Sequence, residues 1–106
     1  MNRYQVVWSG AAKNSILEIV KYIEVRGYPG NAKKFYFEIE KFGESLGNFP
    51  NKYAICRQIH LAKRKMRCVP FKRNYMFIYK KVDSQLKIYN VVHVKTNPES
   101  WRASPF

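Results

Sequence analysis

The sequence predicts an α+β fold in the order β-α-α-β-β-β, a helical hairpin packed on a small curved antiparallel sheet. Three observations carry this expectation. An alternating run places Tyr4, Val6 and Trp8 on one side of an opening strand. Two apolar stripes at helical spacing follow, separated by a dense group of breakers. Alternating runs then fill the second half of the chain. The 106 residues suit one domain, 1–106, and 46% hydrophobic with 16% aromatic content excludes a disordered tail, a collagen-like repeat or a low-complexity linker.

The opening strand spans Arg3 to Trp8, and Ser9 offers an N-cap hydroxyl to the first helix. Ala12, Ile16, Ile19, Val20 and Ile23 form its buried stripe, leaving Lys13, Lys21 and Glu24 for solvent. The run Arg26-Gly27-Tyr28-Pro29-Gly30-Asn31 must end it. A second helix after Asn31 carries Ala32, Phe35, Ile39, Phe42 and Leu46, and stops near Gly47-Asn48-Phe49-Pro50. Residues 51–64 suit a helical turn, a short strand or an ordered loop equally. Strands then follow at Met66–Phe71, Tyr75–Lys81 and Leu86–Lys95, with Asp83-Ser84 turning between the last two. Alternation along Tyr75–Lys80 suits a sheet with one face covered, and on the last strand Leu86, Ile88, Val92 and Val94 oppose Lys87, Tyr89, Val91, His93 and Lys95.

Charge is the compositional anomaly. Twenty Lys and Arg face seven Asp and Glu, a formal +13. Residues 1–50 hold seven basic and five acidic side chains (+2), whereas residues 51–106 hold thirteen basic and two acidic (+11). The first half reads as scaffold and the second as a surface for a polyanion or an acidic partner protein. Cys56 and Cys68 have no Cys-x-x-Cys or His pairing, so they read as small buried thiols in a reducing compartment. The start lacks the apolar run of a signal peptide and no stretch approaches a membrane span, which points to a cytoplasmic protein. The chain shows no Gly-rich phosphate loop and no Gly-x-Ser-x-Gly, and the second half has too few carboxylates for a divalent metal; no cofactor is expected.

Two groups carry potential chemistry. Lys63, Arg64, Lys65 and Arg67, with Lys72 and Arg73, interleave with Phe71, Tyr75, Tyr79 and Tyr89. Cations that pair with phosphates beside aromatic faces that stack on bases are how single-stranded nucleic acid is gripped, although an acidic peptide or plain solvent would suit the same cations. His60 and His93 are the two histidines; His60 reads as a surface residue, while His93 shares a strand side with Lys95 and lies near Tyr89. With Arg67 and Arg73 as cations, His93 and Lys95 are the candidate acid–base groups of an RNA-cleaving site.

In order and spacing the chain resembles the RelE/ParE superfamily of bacterial toxins from type II toxin–antitoxin systems. The resemblance rests on Tyr4-x-Val6-x-Trp8-Ser9-x-x-Ala12, Ala32-x-x-Phe35 with Ile39, and Leu46-x-x-x-Pro50. It continues through Asn74-Tyr75-x-Phe77-Ile78-Tyr79, Ile88-Tyr89-Asn90-Val91-Val92-His93 and Lys95-Thr96-Asn97-Pro98-Glu99-Ser100-Trp101. It implies a growth-arresting toxin neutralised by a cognate acidic antitoxin that orders on binding. RelE-like members are metal-independent endoribonucleases acting on ribosome-bound messenger RNA, and ParE-like members poison DNA gyrase. RelE-like enzymes carry arginines where this chain has Met76 and Thr96, and a histidine at the position of His93 is common among ParE-like members. A non-toxic nucleic-acid-binding module, or a family member whose site has decayed, are the alternatives.

Overall fold

In the computed structural model, residues 3–27 and 29–101 are described; Met1, Asn2, Tyr28 and residues 102–106, which the expected 1–106 domain includes, lie outside them. Strand β1 (Gln5–Trp8) leads into helix α1 (Gly10–Val25) and helix α2 (Pro29–Ser45), which runs into a 3-10 turn at Leu46–Asn48. A short helix α3 (Ile59–Lys63) precedes strands β2 (Arg67–Phe71), β3 (Tyr75–Val82) and β4 (Gln85–His93), and a second 3-10 turn follows at Pro98–Ser100.

The caps act as the sequence requires. The Ser9 hydroxyl accepts from Ala12 N–H (2.9 Å) and donates to the Tyr89 carbonyl (2.8 Å), fixing the start of α1 to β4. Helix α1 ends with Gly27 at φ +96°, in the left-handed region open to glycine. Helix α2 starts at Pro29, two residues before the end of the breaker group, because proline is at home in a first helical turn.

The sheet order is β1-β4-β3-β2. Strands β2, β3 and β4 form an antiparallel meander, as expected, with Asp83-Ser84 between β3 and β4. The difference is β1, which pairs in parallel with β4 (Gln5 opposite Gln85, Trp8 opposite Ile88), so the sheet is mixed. Strand β1 takes the β4 edge of the meander, and β2 remains the other edge of the sheet.

The helix-side core takes Ala12 and Ile16 from α1, Phe35 and Ile39 from α2, Leu46, and Val69, Phe71, Phe77, Tyr79, Leu86, Ile88 and Val91 from the sheet. The other face is covered as well, contrary to the single covered face expected. Leu61, Met66, Ile78, Tyr89 and Cys56 form a second cluster there, with Val92 and Trp101 against it. A register shift at Ile78/Tyr79 explains the swap on β4: one extra residue moves Val91 into the helix-side core and Val92 to the far face, breaking strict alternation.

The second cluster is built by the segment that sequence left open. Gln58 caps α3, its side-chain oxygen accepting from His60 N–H (2.8 Å) and Leu61 N–H (3.2 Å). At the other end Lys65 N–H donates to Ala62 and Met66 N–H to Leu61, a Schellman closure with Lys65 at φ +58°. Leu61 and Met66, the apolar pair that such a closure brings together, are both fully buried. His60 is not a plain surface residue: half-buried, it donates from Nε2 to the Trp101 carbonyl (2.6 Å) and ties the tail to α3.

The two cysteines are not free thiols. Cys56 and Cys68 are joined by a disulfide, because residue 55 bridges residue 67 antiparallel and brings the two Cα atoms to 4.8 Å.

Tyr79 is fully buried, and its hydroxyl donates to the Pro50 carbonyl (3.2 Å). Burial pushes the phenol up to about 12, against the nearby Arg67 guanidinium, which favours the phenolate. A raised folded-state value means that the stabilising preference is fully present below the unfolded value of about 10. It is lost as pH rises from there through about 12. In alkaline titration Tyr79→Phe should therefore flatten the fall in stability across that window; an equally steep fall would place its cause elsewhere.

Candidate functional site

The sheet register sorts the predicted residues into separate groups. Tyr75 lies opposite His93, and Val94 N–H donates to the Asn74 carbonyl (2.9 Å), extending that pairing by one step. The β2–β3 loop, Lys72-Arg73-Asn74, thus sits at the same end of the sheet as His93 and Lys95. Lys72 and Arg73 hold φ +50° and +66°, left-handed backbone that costs a non-glycine residue about 1 kcal/mol each. Strain of this kind in two adjacent exposed cations draws attention to the loop.

The His93 ring is half-buried and stands edge-on to Tyr75, with centroids 5.3 Å apart. Its Nδ1 accepts from Lys95 N–H (3.1 Å), so the neutral ring carries its proton on Nε2. Both rings line a cleft of about 470 Å³ with Ser15, Glu18, Ile19 and Tyr22 of α1. Burial, and then the neighbouring Tyr22, holds the Tyr75 phenol above its usual range. Arg26 donates from Nε (3.0 Å) and Nη2 (2.8 Å) to the Tyr22 hydroxyl, fixing the rim. Sequence reading missed this helical contribution, although Ser15, Glu18, Ile19 and Tyr22 recur at the three-to-four spacing of one helix face.

Of the expected catalytic set, His93, Lys95 and Arg73 therefore share one end of the sheet, and Arg67 does not. Arg67 lies opposite Tyr79, four positions along β3 from Tyr75. At about 3.3 Å per residue that is about 13 Å. Its guanidinium donates to the Tyr53 carbonyl. Lys63, Arg64 and Lys65 belong to the end of α3 on the far face, where the Arg64 guanidinium lies 5.7 Å from the Tyr89 ring centre. Tyr89 itself is buried. Lys72 pairs with Glu38 (2.8 Å), and this hydrogen bond lowers the carboxyl's pKa.

A different basic surface is assembled instead. Phe37, two-thirds exposed at 67%, lines a groove with Phe42 and Phe71, and Lys33, Lys34, Lys41 and Lys72 surround it. Three of these lysines come from the half of the chain read as scaffold. Among the described residues no three His, Cys, Asp or Glu side chains converge as a metal site, and no helix is long and apolar enough to cross a membrane.

Comparison with known proteins agrees with this architecture. The family model described as "ParE toxin of type II toxin-antitoxin system, parDE" matches residues 6–101. No curated protein sequence matches. Eight chains of solved structures do. One, from the "Chromosomal ParDE TA system from P. aeruginosa", superposes with a TM-score of 0.72 at 15% identity, covering 90% of this chain and 100% of that one. At such identity the likeness speaks for the fold, and the family model, matched over nearly the whole sequence, adds the lineage: this chain belongs to the ParE toxin family of type II toxin–antitoxin systems.

Proposed function

We propose that this toxin arrests growth by acting on DNA gyrase, not by cutting ribosome-bound messenger RNA, and that it does so in the cytoplasm. The observation that carries this reading is the separation of Arg67, opposite Tyr79, from the end of the sheet that holds His93, Lys95 and Arg73. Metal-independent RNA cleavage needs a base, an acid and a phosphate-binding cation converging within hydrogen-bond reach of one phosphate. Arg67 is committed to the Tyr53 carbonyl at the other end of β3, and positions 76 and 96 supply Met and Thr. What remains at the His93 end suits recognition: a Tyr75–His93 cleft flanked by a strained cationic loop.

The purified toxin is expected to inhibit gyrase supercoiling in a dose-dependent way while messenger RNA on translating ribosomes stays intact. Cuts in the message with supercoiling unaffected would overturn the assignment. For neutralisation, the reading is an acidic antitoxin segment with apolar anchors in the Phe37–Phe42–Phe71 groove and carboxylates on the surrounding lysines. The support is complementarity between that surface and an acidic chain, with steering from the overall +13 charge.

A further inference from the structure

We infer that the Cys56–Cys68 disulfide is a thiol–disulfide exchange site for a dithiol reductant, and that its reduction loosens residues 51–58 without unfolding the sheet. The bond lies on the outer edge of β2, the edge strand of the sheet. Backbone attachment beside it is slight. Cys56 N–H donates to Met66 (2.8 Å), Cys68 N–H donates to Ala54 (3.2 Å), and Ile55 forms an isolated bridge to Arg67. The next outward position on β2 is Pro70, which has no N–H with which to extend the ladder. Covalent and hydrogen-bonded tethers thus share the work of holding this stretch, and only the covalent one responds to redox state.

The two sulfurs differ in access. Cys56 is 3% exposed, whereas Cys68 is only half-buried, so an incoming thiolate attacks Sγ of Cys68. The S–S bond breaks as the mixed disulfide forms, and the electron pair leaves on Cys56 as a thiolate. The second thiol of the reductant then attacks its own sulfur in the mixed disulfide and releases Cys68 as a thiolate. Two electrons have passed to the protein, the reductant leaves as its disulfide, and both thiolates take up protons from water.

The packing confines the consequence. From residues 51–66 only the partly buried Tyr53 packs against the helix-side core, whose buried members all come from elsewhere, so α1, α2 and the sheet keep their contacts with one another after reduction. Leu61 and Met66 still bind α3 to the far face through Ile78 and Tyr89. At five residues, however, α3 cannot persist by itself, and the positions of Arg57, Lys63 and Lys65 depend on the tethers at its flanks. The oxidised and reduced proteins would therefore present these cations differently, whatever the toxin's target.

Hydrogen exchange on the full-length chain, with and without dithiothreitol, tests this. Reduction under native conditions should speed exchange of the Cys56 and Cys68 amides by about tenfold or more. Amides of β3 and β4 should be unchanged, and alkylation that intercepts the mixed disulfide should label Cys56, the thiolate released first. A Cys56→Ser/Cys68→Ser variant, checked by circular dichroism, should exchange like the reduced protein and ignore the reductant. A bond that resists dithiothreitol until the protein is denatured would overturn the inference, as would equal exchange in both states or loss of protection throughout the sheet.

Discussion

Phe77→Ala is expected to cost about 3–5 kcal/mol, the range for truncating a fully buried aromatic ring. Phe77 is 0% exposed at the centre of the helix-side core. Its ring meets Trp8 of β1 (6.0 Å), Phe42 of α2 (5.4 Å) and Phe71 of β2 (6.1 Å), all near edge-to-face. One side chain thus joins the first strand, the second helix and the opposite sheet edge. Each such ring pair adds about 0.5–1.5 kcal/mol beyond its buried area, and no neighbour can fill the space without leaving another contact. For a domain of this size the loss corresponds to about 15–30 °C in Tm. Phe49→Ala, at a position 58% exposed, should change stability by less than about 0.5 kcal/mol. A Phe77→Ala protein melting within a few degrees of the parent would show that the aromatic cluster does not organise the core.

Gly43→Ala should also destabilise, although helix propensity alone favours alanine by about 1 kcal/mol. A Cβ on residue 43 would stand 2.2 Å from Cη2 and 2.5 Å from Cζ2 of Trp8, and 3.1 Å from Cε2 of Phe77. Trp8 cannot easily yield, because its indole N–H donates to Glu44 Oε2 (2.8 Å) while its ring abuts Phe77. Overpacking a held ring costs about 1–3 kcal/mol, and distances so far inside contact argue for the upper end, which outweighs the propensity gain. In denaturant melts Gly10→Ala, where an added Cβ meets nothing within 4 Å, should instead be neutral or slightly stabilising. Pairing Gly43→Ala with Trp8→Leu should lose less than the sum of the single changes. Strict additivity would mean that the predicted collision is relieved in some other way.

Where sequence succeeded and where it failed follows from the kind of information each element needs. Helices α1 and α2 were legible because apolar spacing, the Ser9 cap and Gly27 are all local signals. Helix α3 was hidden because a glutamine caps it and a lysine occupies the left-handed position where glycine is usual. Alternation identified β1 as a strand but says nothing of its neighbour, so its parallel pairing did not show. The bulge in β4 exchanged the faces of Val91 and Val92, since it depends on the partner strand. The cysteines sit far apart by spacing alone and meet only because residues 55 and 67 bridge. At the site, alternation placed His93 on the last strand, but β4 ends there and Lys95 lies in the turn beyond it instead of on the same strand, because its N–H turns back to His93 Nδ1. Separating Arg67 from both required the β2–β3 register. The family resemblance supplied what local patterning lacked, because order and spacing over the whole chain carry topology.

The parallel pairing of β1 with β4 has a consequence during synthesis. Gln5 waits for Gln85, eighty positions later, before its strand has a partner. At the usual 5–20 residues per second that interval is about 4–16 s, during which Trp8 and the apolar faces of both helices lack the surface they will cover. Contacts of such long sequence separation also carry a large closure entropy, which slows their formation. An unfinished chain ending before β4 would lack the strand that supplies both His93 and the partner of β1. Such a fragment would lack the completed sheet and the assembled cleft, so premature termination yields no working toxin and leaves a substrate for proteases.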